Sequence, residues 1–232
     1  LKSIGLDENF NIEIVNSTDK EKREKYVKYL YKKLQRDGQL ERDVDRLVRN
    51  DRIAWGSSMI ACKDADAMVT GNIRHYAASI EKLKKVVDPR PGEPIFGMTM
   101  MVSKGKTILV ADTNVQDFPS PNRLVEVSIS CVRVARLFGF EPKVAFLSHS
   151  TFGKPVSKNT KHVRDAINLL KQEKVDFDFD GEMQPDVALN PIYQETYPFS
   201  KIVGKANILI MPALHSAAIS TKLMKVYGGA KL

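Results

Sequence analysis

Apolar positions along the first ninety residues recur at helical spacing. Tyr26, Tyr29, Leu30 and Leu34 share one face of the segment 19–36, as do Val44, Leu47 and Val48 within 40–52. Asp37-Gly38 between them reads as a helix stop followed by a turn. A third helix is predicted around Ala54-Trp55-Gly56-Ser57-Ser58-Met59-Ile60. Ala67-Met68-Val69-Thr70-Gly71-Asn72 predicts a short strand ending in a polar glycine turn, and 75–87 a further amphipathic helix. The two prolines of Asp88-Pro89-Arg90-Pro91-Gly92 make a stiff connector. It divides the chain into two expected subdomains, 1–92 and 93–232.

Beyond the connector the pattern becomes regular. Strands are predicted at 107–112, 144–147, 177–180 and 206–211, with helices at 160–173 and 216–227 between and after them. A further helix runs from Pro121 to Phe138, opened by Ser120 as N-cap with proline in its first turn and stopped at Gly139. Strands alternating with helices of this length imply right-handed crossovers and a mainly parallel sheet covered on both faces. The expected class is α/β, three-layer αβα, in two subdomains.

In open α/β sheets, ligands bind outside the carboxyl ends of the strands. Those ends here are Asp112-Thr113-Asn114, Ser148-His149-Ser150-Thr151-Phe152-Gly153, Asp180-Gly181-Glu182 and Pro212-Ala213-Leu214-His215-Ser216. Thr70-Gly71-Asn72, with Arg74 and His75 after it, forms the equivalent rim of the first subdomain. A polar cleft between the subdomains is the expected small-molecule site.

The segment Leu147-Ser148-His149-Ser150-Thr151-Phe152-Gly153 admits several chemistries. Neighbouring residues such as Ser148 and His149 point apart, and the GxSxG elbow is absent, which argues against a Ser–His nucleophile. Backbone amides between a strand and a helix, with hydroxyls and Lys154, can hold a phosphate. Alternatively, the hydroxyls merely cap the turn. Spacing leaves both open. Asp180 and Glu182 read as strand-end carboxylates holding loop amides rather than metal ligands, because no His/Asp/Glu spacing supports a metal. Asp112, Arg74 and His75 stay ambiguous. Neither GxGxxG nor a Walker loop occurs, so no nicotinamide or ATP site is expected in this chain.

Charge narrows the partners. Lys and Arg total 36 against 28 Asp and Glu, a net charge of +8. The densest basic region, 21–52, is interleaved with acids, the pattern of a solvated helix face rather than a nucleic-acid stripe. A small polyanion such as a nucleotide phosphate fits better. No apolar run approaches the roughly 20 residues that span a bilayer, so no membrane partner is expected. Cys62 and Cys131 lie outside any CxxC pattern, which points to a reduced, cytoplasmic protein. The opening on Leu1 and the close just after a helical pattern suggest a piece of a longer chain.

Strings along nearly the whole chain resemble the phosphate acetyl/butyryl transferase family. They are Asp64-Ala65-Asp66-Ala67-Met68-Val69-Thr70-Gly71, Val110-Ala111-Asp112, 138–145, Asp180-Gly181-Glu182-Met183-Gln184 and 204–212. The variants at 148–153, 180–189, 197–200 and 215–224 are more similar to the phosphotransacetylase-like C-terminal domain of bacterial NADP-dependent malic enzymes. This resemblance implies isocitrate/isopropylmalate dehydrogenase-like topology, an acyl-coenzyme A cleft and homo-oligomers assembled through domain dimers. It also implies an N-terminal malic enzyme portion, absent here, that holds NADP and a Mg or Mn ion and oxidatively decarboxylates malate to pyruvate.

Departures from the family pattern concern the chemistry. The expected tyrosine-x-x-arginine reads Tyr31-Lys32-Lys33-Leu34, with Arg36 nearby. An arginine expected after the Thr70-Gly71 turn falls on Glu81, a charge reversal where an anionic substrate needs a guanidinium. A polar stretch reads Ala213-Leu214-His215-Ser216-Ala217-Ala218, and the segment with the expected catalytic Asp would follow residue 232. The implied role is a regulatory domain with no catalytic residue, no metal and no cofactor of its own, binding acetyl-coenzyme A as effector. Its expected contacts are Ser148 to Lys154, Asp180, Gly181, Glu182, Thr70, Gly71, Asn72 and Arg74. The alternative is an active transferase moving acyl groups between coenzyme A and phosphate.

Overall fold

A computed structural model of the chain describes residues 13–71, 74–157 and 160–232. The chain divides into two compact units, 1–88 and 89–232. In the first, α1 (Lys20–Leu34), α2 (Glu41–Asn50), α3 (Arg52–Ala61) and α4 (Tyr76–Val86) pack around Tyr26, Leu30, Val44, Val48, Ala54, Trp55 and Val86. Asp19 caps α1 by accepting from the Lys22 amide at 3.1 Å. Gly38, at φ +79°, supplies the left-handed turn after it. The Tyr26 ring meets Trp55 edge-on at 5.0 Å.

The strand expected at 67–72 does not form. Residues 67–71 run without a ladder partner and Val69 is fully exposed, while Asn72 lies outside the described residues. A strand needs a neighbour to take its backbone hydrogen bonds. Among the described residues this unit holds only helices, so the α/β character expected of it is not seen there. The Asp64 carboxylate near the start of this motif ties the end of α3 to α1 instead. It accepts from the Tyr26 hydroxyl at 2.8 Å and the Lys25 ammonium at 2.6 Å.

Asp51 fixes the other end of α3. It caps the helix by accepting from the Ile53 and Ala54 amides at 2.9 and 3.2 Å. It also pairs with Arg74 at 3.0 Å and with Lys82. Burial pushes its carboxyl pKa up, but Lys82, the Ala54 amide, Arg74 and the Ile53 amide together outweigh this and hold it at about 2. A pKa depressed by folding contributes stability that is complete above the unfolded value near 4 and is lost as pH falls towards 2. Allowing for solvent around the two cations, the contribution is about 1–2 kcal/mol. Asp51→Asn is therefore expected to lower neutral-pH stability of this unit by that amount and to flatten its acid dependence. Trp55, the one tryptophan of the chain, reports urea unfolding of this unit directly. Parallel pH profiles for mutant and parent between pH 2.5 and 7 would count against it.

The second unit is built on one sheet. Among the described residues its strands are β1 (Met98–Ser103), β2 (Lys106–Ala111), β3 (Lys143–Leu147), β4 (Asp178–Met183) and β5 (Ile208–Ile210), in the order β1-β2-β5-β3-β4. β1 and β2 are antiparallel and the other pairs parallel. β1 was not expected from the sequence. Its turn, Lys104-Gly105, has both central residues at positive φ (50° and 72°), as a type I′ hairpin requires.

Alternation along the strands sorts the core into two layers. Leu109, Ala111, Val144, Phe146, Ile208 and Ile210 pack under α5 (Pro121–Leu137) and α6 (Lys161–Gln172). Val110, Ala145, Leu147, Leu209 and Met211 face the other way, against α7 (Pro185–Leu189) and Ala217 of α9 (Leu214–Val226). A short α8 (Pro191–Gln194) follows α7. Helices on both faces of a mainly parallel sheet give the expected αβα layering. Ser120 caps α5 through the Arg123 amide at 3.3 Å, with Pro121 first in the helix.

Candidate functional site

The carboxyl ends of β2, β3 and β5 lie along one edge of the sheet, because these strands run parallel. The loop 148–154 continues from β3 there. Its Ser148 amide donates to the Met183 carbonyl at 3.0 Å, extending the β3–β4 pairing. Thr151 and Lys154 exchange two backbone hydrogen bonds, at 2.8 and 3.1 Å, across Phe152 and Gly153, whose φ angles are +47° and +89°. A non-glycine residue seldom accepts a positive φ. Here the Phe152 ring is gripped between Tyr197 at 5.3 Å and Phe199 at 4.8 Å.

Register explains what lies beneath the loop. Phe146 pairs with Gly181 and Leu147 with Met183, which leaves Glu182 as an extra residue in a bulge. Only 1% of Glu182 is exposed. One of its carboxylate oxygens accepts from the Ser150 hydroxyl at 2.8 Å, the Gly153 amide at 3.1 Å and the Arg164 guanidinium at 3.2 Å. Its backbone carbonyl accepts from the Phe152 amide at 2.7 Å. Arg164, on α6, also donates to the Thr160 hydroxyl at 3.0 Å. Gln184 closes the far side, giving its amide to the Thr151 hydroxyl at 3.2 Å and its side chain to the His149 carbonyl at 2.6 Å.

These bonds correct two expectations. Asp180, Gly181 and Glu182 are not a turn beyond a strand; they lie inside β4. The amides from Ser150 to Lys154 are not free to cradle a phosphate either. Ser150 donates to the Ser148 hydroxyl at 3.4 Å, Thr151 and Lys154 to each other, Phe152 to the Glu182 carbonyl and Gly153 to the Glu182 carboxylate. The anion that the loop holds is the protein's own.

The structure thus brings Ser148–Lys154 together with Asp180–Glu182. Asp180 is buried and accepts from the Gly181 amide at 2.9 Å and the Lys201 amide at 2.8 Å, a carboxylate that holds loops. Ser148 is buried while His149 faces solvent, so no Ser–His pair forms; the side chain of Lys154 is exposed. Thr70, Gly71 and Arg74 belong to the first unit, where the Arg74 guanidinium is engaged by Asp51. Asp112, 4% exposed, ends β2 by accepting from the amides of Gly97, Asn114 and Val115 at 2.8, 3.0 and 3.1 Å. Arg164 and Gln184 were missed from the sequence. The signal for Arg164 was its position: a cation in the first turn of a helix opposes the helix dipole and calls for a fixed anionic partner.

Residues 1–232 match the family described as phosphate acetyl/butaryl transferase. The chain belongs to that family. It is 43% identical over 97% of its length to an NADP-dependent malic enzyme of Rhizobium meliloti, of which it spans 30%. A phosphate acetyltransferase of Nitratidesulfovibrio vulgaris is 28% identical over 98% of the chain, which again spans only 32% of that protein. The EutD phosphotransacetylase from Staphylococcus aureus superposes with a TM-score of 0.82 at 25% identity, covering 99% of this chain and 71% of the other. Where the family resemblance expects an arginine after the Thr70-Gly71 turn, the chain carries Glu81, exposed on α4. No helix among the described residues is long and apolar enough to cross a membrane.

Proposed function

We propose that the chain is the regulatory domain of a bacterial NADP-dependent malic enzyme, taking acetyl-coenzyme A as effector and assembling through pairs of itself. NADP, a Mg or Mn ion and malate decarboxylation belong, in this reading, to another part of the polypeptide. The observation that carries the reading is the 43% identity with a malic enzyme over 97% of the chain. The loop geometry supports it. An acyltransferase must seize phosphate as a reactant, yet the amides from Ser150 to Lys154 are committed within the loop and to Glu182. An effector site need only hold coenzyme A, for which the exposed Lys154 offers a charge-assisted contact. Regulation then requires that acetyl-coenzyme A bind one packing state better than the other.

Calorimetric titration of the full-length protein with acetyl-coenzyme A, beside an assay of malate decarboxylation, tests this. Saturable binding and a changed rate are expected, with Lys154→Glu weakening binding about tenfold. Absence of heat together with an unchanged rate rejects the proposal. The likeness to EutD phosphotransacetylase favours one competing reading, an active acyltransferase. Acetyl phosphate formed from acetyl-coenzyme A and phosphate at about one turnover per second or faster would establish that reading instead.

A further inference from the structure

The opposite edge of the same sheet holds a cavity of about 510 Å³, within the range of small-molecule sites. Its walls include Met101, Ile108, Phe140, Leu189 and Met224, an apolar lining drawn from strands, a loop and two helices of the second unit. Polar groups of the lining are largely engaged. Asn207 accepts from the Lys143 amide at 2.8 Å and donates to the Glu141 carbonyl at 2.7 Å, and Ser103 donates to the Gly228 carbonyl at 3.2 Å.

Two ammonium groups stand apart from this economy. Lys106, the first residue of β2, and Lys205, just ahead of β5, both line the cavity and approach each other closely enough to interact. Neither forms a salt bridge among the described residues. Contact with Lys106, then its charge and a little burial, lowers Lys205 from the ordinary lysine pKa. Two like charges at the mouth of an apolar cavity are relieved by an anion.

We infer that this cavity is a second ligand site, for an amphipathic anion: a carboxylate or phosphate head on an apolar body. The head sits between Lys106 and Lys205 and the body against Met101, Ile108, Phe140 and Met224. The site is separate from the 148–154 loop. Lys106 begins β2 and Asp112 follows its end, and six residues at about 3.3 Å each set the two edges roughly 20 Å apart. It therefore does not depend on the proposed effector role.

Octyl phosphate, octanoate and octan-1-ol, titrated calorimetrically into the full chain, test the inference. Both anions are expected to bind, and the neutral alcohol about tenfold or more weaker. The double variant Lys106→Met, Lys205→Met keeps the apolar stems, so it should lose roughly tenfold for the anions and leave the alcohol unchanged. If that protein does not fold, as judged by circular dichroism, Lys205→Met alone serves and should show a smaller loss in the same direction. Anions that bind no better than the alcohol, or bind folded variants as well as the parent, overturn the inference. So does abolition of octyl phosphate binding by Lys154→Glu, because the probe then occupies the loop.

Discussion

Glu182→Ala is expected to destabilise the second unit by about 3 kcal/mol or more, the range for removing one partner of a buried ion pair whose other member is partly solvated. The Glu182 side chain is 1% exposed against 32% for Arg164, so the loss falls on groups with different access to water. Arg164 can turn partly to solvent. The Ser150 hydroxyl is fully buried and cannot; it keeps only the longer contact with the Ser148 hydroxyl at 3.3 Å, and a poorly satisfied buried donor costs about 1–3 kcal/mol. Glu182→Gln keeps an acceptor oxygen of similar shape without the charge and should recover about half of the loss. Adding Arg164→Ala to Glu182→Ala should cost less than the sum of the two, because they share one network. Chemical denaturation followed by circular dichroism measures the second unit, and limited proteolysis reports whether the 148–154 loop opens. A loss under about 1 kcal/mol with an intact loop would show that the network does not hold the fold.

Local signals carried much of the fold. Ser120-Pro121 and Gly139 bracket a helix because capping is a contact between near neighbours in sequence, and the helix stands between them. Val144, Ala145, Phe146 and Leu147 are continuously apolar because a strand covered on both faces has no wet side, and all four are buried. Val69 shows the limit. An apolar pair beside a threonine promises a strand, but the promise depends on a ladder partner that local sequence cannot supply. β1 failed in the opposite sense: its hairpin turns on Lys104-Gly105, and a lysine held at positive φ does not announce such a turn in the sequence. The site was less legible still. Glu182 and Ser150 stand 32 residues apart and Glu182 and Arg164 18 apart, so only the β3–β4 register discloses that the loop already encloses an anion.

Gly181 connects that register to the site, and Gly181→Ala is expected to cost about 2–6 kcal/mol. Two effects add. Its φ of +142° strains any side chain, by about 1–3 kcal/mol. A Cβ would also stand 2.6 Å from the Phe146 carbonyl oxygen and 3.1 Å from the Phe146 Cβ, overpacking worth about a further 1–3 kcal/mol. That oxygen cannot easily withdraw, because β3 is paired with β5 on one side and β4 on the other. Gly139→Ala separates the two effects. Its φ is +78° and nothing lies within 4 Å of its Cβ position, so it carries strain without a clash and should cost about 1 kcal/mol. Displacing β4 to clear the clash also draws Glu182 away from Ser150 and Gly153. Part of the Gly181→Ala penalty should therefore vanish in a Glu182→Ala background, where those bonds are already gone. Equal costs for Gly181→Ala and Gly139→Ala would mean that β3 can recede. Glu182 would then be held under the loop by its own hydrogen bonds rather than by the close approach of two strands.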